Sequence, residues 1–395
     1  MTIALHLGSV LWGSFSLGLG KNDGSTIFMT TSIQAANVSP AIDCGYVQAA
    51  LRRLDEVSTS EAVLLEPPTP SELEEALGEP VQKCELWEGN WRNRVYRIEL
   101  ARGGAAVAKQ MIVGTDAKFQ CEYDQLGKLA GLQIPRLRVP EVLALLPAKR
   151  TYVMDLAPGK TIPTLVWDRK HSDDLLKACE LAGKILAGIH LPWTQKICSM
   201  PVDTLARDLA VTPWHLSSRE EKILQSAFER LAGAEVRMGQ VYYDYKPANF
   251  LFEDDELFLI DPPGVLRQGV QLWDFSIFRS FMRRELWRFT LRRPFDRRRA
   301  GIRQAMAAFE HGYLANVGTL YPEPGLFASV VRFFELQRTA VLMTLQKGKV
   351  DAARQKMPIA GHARLGNPLA NRITLPLLEM ERRWLFRQLA RELPR

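Results

Sequence analysis

Cysteine and histidine are scarce in this chain, and neither is spaced to hold a metal. The 395 residues include six histidines and five cysteines, Cys44, Cys84, Cys121, Cys179 and Cys198. An odd number of widely separated cysteines with no Cys-x-x-Cys argues against a disulfide framework and a zinc site, and points to a reducing compartment. His190, at a helix end before Leu191 and Pro192, is read as a packed or capping residue and not as a ligand. Long apolar runs are also missing. Residues 1–20 are apolar but are broken by His6, Ser9, Ser14 and Ser16, too often for a membrane span. No basic residue precedes Lys21, so the stretch lacks the positive start of a secretion signal. A disordered or weakly packed leader is expected, with Met29 as an alternative start. No internal repeat is seen.

What is present is ordinary for a globular protein: 47% hydrophobic and 24% charged residues, in a length that suits two or so domains. Residues 42–58 read as one helix and 66–70, rich in proline, as a linker. Ser71 opens a helix whose first turn is acidic, with Glu72 and Glu74. Nothing before Val81 carries recognisable chemistry.

The chemistry concentrates in residues 241–264. Asp244 and Asn249 lie five residues apart, and Asp261 follows twelve further on, closing the apolar run 257–260. That is one carboxylate to orient an attacking hydroxyl, then an amide and a second carboxylate for a metal. Phosphoryl transfer from ATP needs this set, because its chemistry is mostly positioning and charge neutralisation around Mg²⁺. Alone, Asp-x-x-x-x-Asn is a common loop pattern, Lys109 is an ordinary lysine at a strand end, and the Asp261-Pro262-Pro263-Gly264 stretch is a plain turn. Their conjunction in one order overturns those readings.

Residues 241–264 resemble the catalytic and metal-binding loops of the protein-kinase-like superfamily, and matching pieces lie upstream. Val107-Ala108-Lys109 closes a strand-like stretch, 105–111, and resembles the motif whose lysine holds the α- and β-phosphates. Glu122, on the helical stretch 116–130, is the expected partner of Lys109. Strands over 81–87 and 94–100 flank a turn at 88–93. It stands where a phosphate-covering loop belongs, with Gly89 as its one glycine and no G-x-G-x-x-G. Residues 152–159 resemble the hinge, so backbone groups at Asp155 and Leu156 are expected to meet adenine. Asp244 and Lys246 are the implied catalytic pair, with Lys246 near the γ-phosphate. Asn249 and Asp261 are the implied metal ligands. The resemblance covers about 81–281.

Three features place the chain nearer small-molecule kinases of the aminoglycoside phosphotransferase type than protein kinases. A helix-like insertion, about 201–233, separates the helix ending at His190 from Asp244. Only thirteen positions separate Asp261 from Asp274, with no Ala-Pro-Glu after them, so an activation segment has no room. Ile260-Asp261-Pro262 and Asp274 resemble the metal loop and later structural aspartate of streptomycin-type and fructosamine kinases. That aspartate is expected to accept backbone N–H bonds from the catalytic loop. Departures remain: Tyr242 stands where a histidine is usual, and Lys246-Pro247-Ala248 is more typical of protein kinases.

Between Arg283 and Arg303 lie nine arginines against Glu285 and Asp296, a local charge of +7 that equals the net charge of the whole chain. Trp287, Phe289, Leu291 and Phe295 are interleaved. Two readings stand: a solvated helical face, or a docking surface for an anionic acceptor or an acidic membrane face, arginine's fork suiting phosphate. Nucleic acid is disfavoured because no nucleic-acid-binding fold is recognised. Residues 379–389 read as an amphipathic helix with Trp384, Leu385 and Leu389 inward.

The resemblance implies an α+β, bilobal fold. It has an extension at 1–80, a small antiparallel-sheet lobe at 81–156 and a mostly helical lobe at 157–395, with ATP and Mg²⁺ between them. The expected activity is transfer of the γ-phosphate to a hydroxyl of a small molecule or a glycan or lipid-linked sugar. A Ser/Thr-type protein kinase and a nucleotide-binding pseudokinase scaffold are the alternatives. A cytoplasmic protein, with peripheral membrane contact through the arginines as one option, is expected. The acceptor, the choice of ATP over GTP and the oligomeric state are not written in the sequence.

Overall fold

The computed structural model describes residues 45–49, 65–89, 93–112, 114–169, 172–212, 214–262, 267–318, 324–354 and 368–392. The leader expected at 1–20 lies outside these residues, as does most of the helix expected at 42–58; within it, 46–49 form one helical turn.

The first helix, α1 (Pro70–Leu77), starts where its capping chemistry dictates. Thr69 accepts a hydrogen bond from the Glu72 N–H while the Glu72 carboxylate accepts from the Thr69 N–H, a reciprocal capping box. Five strands follow in one antiparallel sheet of order β1-β2-β3-β6-β5: β1 (Val81–Gly89), β2 (Asn93–Leu100), β3 (Ala105–Met111), β5 (Val142–Leu146) and β6 (Thr151–Asp155). Helix α2 (Asp116–Gly131), capped by Thr115, crosses between β3 and β5. The sheet is covered on both faces. Phe119 and Leu126 of α2 pack with Val107, Met111, Tyr152 and Met154 on one side. On the other, Leu73 of α1 packs with Tyr96, Ile98, Ala106, Ala108 and Val153. A boundary drawn at residue 81 would leave α1 outside the lobe, yet its leucine is in the sheet's own core. The linker before it is also tied down: Arg94 Nη1 donates to the Leu65 carbonyl (3.0 Å) and Gln110 Nε2 to that of Glu66 (2.8 Å).

After β7 (Lys160–Thr161) the chain is mostly helical: α3 (Ile162–Trp167), α4 (Ser172–Trp193), α5 (Val202–Ala210), α6 (Ser218–Leu231), α7 (Leu272–Arg292), α8 (Arg298–Val317), α9 (Pro324–Arg354) and α10 (Pro368–Glu392). Two small sheets are set among them. One has the order β4-β11-β10-β7, with β4 (Leu137–Arg138), β10 (Phe250–Glu253) and β11 (Glu256–Leu259). The other is β12-β9-β8, with β8 (Thr194–Ser199), β9 (Glu235–Val241) and β12 (Arg267–Val270). The expected insertion at 201–233 is thus two helices, α5 and α6. Residues 267–270 pair back onto β9.

Helices α4 and α8 approach closely at two glycines. A Cβ on Gly183 would sit 2.1 Å from the Phe309 carbonyl oxygen, and one on Gly312 would sit 2.2 Å from that of Glu180. This crossing matters for the site, because α4 carries His190 and α8 carries Tyr313, whose side chains meet at 3.0 Å. Gly183→Ala is expected to lower stability by about 1–3 kcal/mol through overpacking against backbone, despite alanine's better helix propensity. The urea midpoint checks this; an unchanged or raised midpoint contradicts the close approach.

The start of the arginine-rich stretch is consumed inside the fold, and several later arginines are paired at the surface. Arg283 and Arg284 are buried: Arg283 binds Glu335 and Glu381 (2.6 Å each), and Arg284 binds Glu381 (2.7 Å). Burial alone would raise the Glu335 carboxyl, but Arg283, Arg279 and Arg332 hold it down at about 2. Arg288 pairs with Glu285, and Arg293 and Arg298 with Asp296. Arg292 lies over the Trp167 ring. Arg297 and Arg303 are exposed. The expectation of a continuous docking face for an anion or a membrane therefore finds no support: the arginines run over α7, the connection after it and the start of α8, and the first two enter a buried ion network, which local sequence cannot distinguish from an exposed face. In α10, Leu385, Phe386 and Leu389 pack on Leu336 of α9, with Trp384 at the edge, as its amphipathic pattern implies. Among the described residues no helix is long and apolar enough to cross a membrane.

Candidate active site

Lys109 stands on β3, the strand paired on both sides, which fixes it between Val95 and Tyr152 in register. Its side chain is buried, with Nζ 3.1 Å from Glu122 Oε2 on α2 and 2.6 Å from Asp261 Oδ1. Burial pulls the ammonium's pKa down, but the Asp261 and Glu122 carboxylates overcome this and hold it well above its ordinary value. It is therefore a fixed positive charge at neutral pH. Lys109 thus bridges the two carboxylates; Asp261 follows β11 and leaves more than a third of its side chain exposed.

Asp244 and Asn249 lie on the loop between β9 and β10. A 3-10 turn at Pro247–Asn249 closes it. The buried Asn249 donates from Nδ2 to the Asp244 carbonyl (3.1 Å), and its Oδ1 accepts no hydrogen bond among the described residues. Lys246 Nζ reaches Asp244 Oδ2 at 2.6 Å. Tyr243, just before Asp244, has φ of +71°. That left-handed conformation is costly for a residue with a Cβ and persists where its surroundings over-determine it.

Those surroundings are a buried polar cluster. Asp274, at the start of α7, accepts the Tyr242 N–H and the Tyr243 N–H, each at 2.6 Å. His190 Nε2 lies 3.2 Å from the same carboxylate, and His190 Nδ1 lies 3.0 Å from the Tyr313 hydroxyl. Asp274 thus clamps the loop as expected, and His190 is a core residue as expected. Tyr242, in the unusual position, is fully buried; its hydroxyl donates to the Asp261 carbonyl at 2.5 Å, tying the 242–249 loop to the segment after β11. Burial pushes its phenol well up, so it stays a neutral donor.

The structure thus brings together Lys109, Glu122 and Asp261 as one linked set, and Asp244, Lys246 and Asn249 on one loop beside it. Asn249 and Asp261 offer only oxygen, and among the described residues no group of three or more His, Cys, Asp or Glu is placed to hold a metal. Such a sparse oxygen set fits a hard divalent cation that completes its shell with phosphate and water. The remaining expectations are less defined. Asp155 ends β6, but its N–H donates to the Glu141 carbonyl (3.0 Å) and is not available to a base; Leu156 follows it beside the α2–sheet core. Burial raises the Asp155 carboxyl. Gly89 ends β1 with no left-handed backbone, and a Cβ there would meet only Leu86, at 3.8 Å. Its glycine is not demanded by space or backbone, and residues 90–92 lie outside the described residues. So do Pro263 and Gly264. Two contributors were not singled out from sequence: Tyr46 and Asp208, taken up below.

The sequence matches the model of the phosphotransferase enzyme family over residues 83–310. No curated protein matches the chain significantly. Among solved structures, one from Ralstonia eutropha JMP134, provisionally assigned as an aminoglycoside phosphotransferase, aligns with a TM-score of 0.54 at 12% identity, covering 90% of this chain and 100% of that one. An amicoumacin kinase solved with AMP-PNP and Ca²⁺ aligns at 0.48 and 16%, covering 86% and 93%. A macrolide 2′-phosphotransferase from Brachybacterium faecium aligns at 0.47 and 15%, covering 75% and 96%. The first of these carries the likeness of fold.

Proposed function

The chain belongs to the phosphotransferase enzyme family, and we propose that it is a kinase that transfers the γ-phosphate of ATP to a hydroxyl of a small-molecule acceptor. The observation that carries the proposal is the ion bridge Glu122–Lys109–Asp261, which joins residues 152 apart in sequence around one point in the cleft. Lys109, kept charged there, holds the α- and β-phosphates, with Glu122 fixing its direction. Asp244 accepts the acceptor's hydroxyl proton or orients that hydroxyl for in-line attack. Lys246, already paired with Asp244, meets the γ-phosphate as it moves. Asn249 and Asp261 would hold Mg²⁺. The cation, when bound, neutralises charge that develops on the transferred phosphoryl group. The return of residues 267–270 onto β9, so soon after Asp261, supports a small acceptor over a peptide, because among the described residues no extended segment follows Asp261 on which a peptide would lie.

Nucleotide binding is testable without an acceptor. ATP with Mg²⁺ is expected to raise the melting temperature, since a ligand bound only by the native state stabilises by mass action, about 2.7 kcal/mol at a hundredfold excess over Kd. Lys109→Ala should remove most of that shift. GTP run beside it reads base preference. A flat profile for wild type at millimolar Mg·ATP would count against the site.

A further inference from the structure

Residues 45–49 lie outside the family match, yet they are built into the large lobe beside the catalytic loop. Asp208 of α5, with no solvent exposure, accepts the Val47 N–H (2.9 and 3.0 Å to its two oxygens) and the Gln48 N–H (3.0 Å). Gln337 Nε2 of α9 donates to it as well, at 2.7 Å. A buried carboxylate is tolerated only with such donors, so this helical turn is an integral part of the lobe. Its Tyr46 ring lies flat on Trp273, with centroids 3.8 Å apart and planes 5° apart. It is edge-on to Phe334 and 6.3 Å from the Tyr243 ring. Trp273 and the Arg267 guanidinium also contact the Tyr243 ring, at 6.1 and 4.6 Å. Tyr243 is the left-handed residue immediately before Asp244. The same chain segment is fastened to the small lobe at Leu65 and Glu66.

We propose that Tyr46 is a positioning residue for phosphoryl transfer: packed against Trp273 and Tyr243, it holds the left-handed turn at Tyr243 and so the aim of the Asp244 carboxylate. The proposal rests on the role given to Asp244 above. Asp274 clamps the Tyr243 backbone from one side; Tyr46 contacts its ring from another, and the two together over-determine a conformation that neither strand nor helix would supply.

Gly269 on β12 allows Tyr46 to be pushed without emptying the core or touching Asp244. A Cβ there would sit 2.4 Å from the Tyr46 hydroxyl oxygen, 3.3 Å from Cζ and 3.6 Å from Val241 Cγ1. The full chain is assayed for ADP formation from Mg·ATP with water as acceptor, and kcat is expressed per nucleotide-binding site by titration. Gly269→Ala is expected to lower kcat about tenfold or more, as small misplacements of a reacting group do, with the Mg·ATP Kd unchanged. Tyr46→Phe removes the atom struck and should stay near wild type, and Gly269→Ala with Tyr46→Phe should recover to it. A wild-type kcat in Gly269→Ala, or a double variant as slow as the single one, overturns the proposal. Should Gly269→Ala fail to fold, Tyr46→Leu is read the same way: a loss confined to kcat supports the role and a wild-type kcat ends it. Asp244→Ala is run beside them. If it keeps its turnover, the role of Asp244 is what fails; if it is inactive while the Tyr46 and Gly269 variants are wild type, the positioning role alone fails.

Discussion

Asp244→Ala is expected to lower turnover by about 10²–10⁴-fold, the usual contribution of a positioned general base, and to leave Mg·ATP binding nearly intact. The separation follows from where the residue sits. Its carboxylate is partly exposed and touches Lys246, whereas the ion bridge proposed to hold phosphate, Glu122–Lys109–Asp261, does not include it. The loop's conformation also survives the change, because its fixtures are backbone groups: the Tyr242 and Tyr243 N–H on Asp274, and the Asp244 carbonyl on Asn249. A drop in kcat with Kd for nucleotide unchanged marks an interaction made in the transition state. Asp261→Ala differs in kind, since it removes both the proposed metal ligand and a partner of Lys109, and it should weaken nucleotide binding as well. Steady-state kinetics with isothermal titration of Mg·ATP distinguish the two. An Asp244→Ala enzyme that turns over normally would remove that residue from the chemistry.

Glu381→Ala costs about 3–5 kcal/mol of stability, because breaking a buried ion pair leaves an uncompensated charge. Here two guanidiniums lose a partner at once: Arg283 Nη2 and Arg284 Nε both bind Glu381, and all three side chains are buried. The network joins α7 to α10, and through Glu335 to α9, so the loss should loosen the C-terminal helix from the lobe. Replacing the exposed Arg297 and Arg303 together with Gln should shift stability by under about 1 kcal/mol. Chemical denaturation of the two variants checks the contrast. Equal, small effects would mean that the arginines are a solvated face after all.

That Asp244, Lys246 and Asn249 share one loop and that Lys109 stands on a strand were legible in the sequence, because each is a short local pattern. The Lys109–Glu122 pair was implied by the resemblance, and the two side chains meet at 3.1 Å. The structural role of Asp274 came from resemblance and is carried by two short backbone bonds. What was illegible depends on contacts between distant segments. Asp208 meets Val47 across 161 residues, and nothing in either stretch marks the partnership. Helix α1 was readable as a helix from the acidic turn after Ser71, although it starts one residue earlier, at Pro70 capped by Thr69, and its burial by Leu73 against the sheet was not readable. The arginine cluster misled for a related reason. Charge density along a chain says nothing of which helix face turns inward, and Arg283 and Arg284 turn toward Glu335 and Glu381.

The most direct measurement is transfer of label from γ-labelled ATP into a metabolite extract, separated into small-molecule and protein fractions, with wild type and Asp244→Ala run in parallel. Expected is a labelled small-molecule product that requires a divalent cation, appears with wild type and is lost with Asp244→Ala. Label confined to the protein fraction, or a small-molecule product formed equally by both enzymes, contradicts a small-molecule kinase working through Asp244.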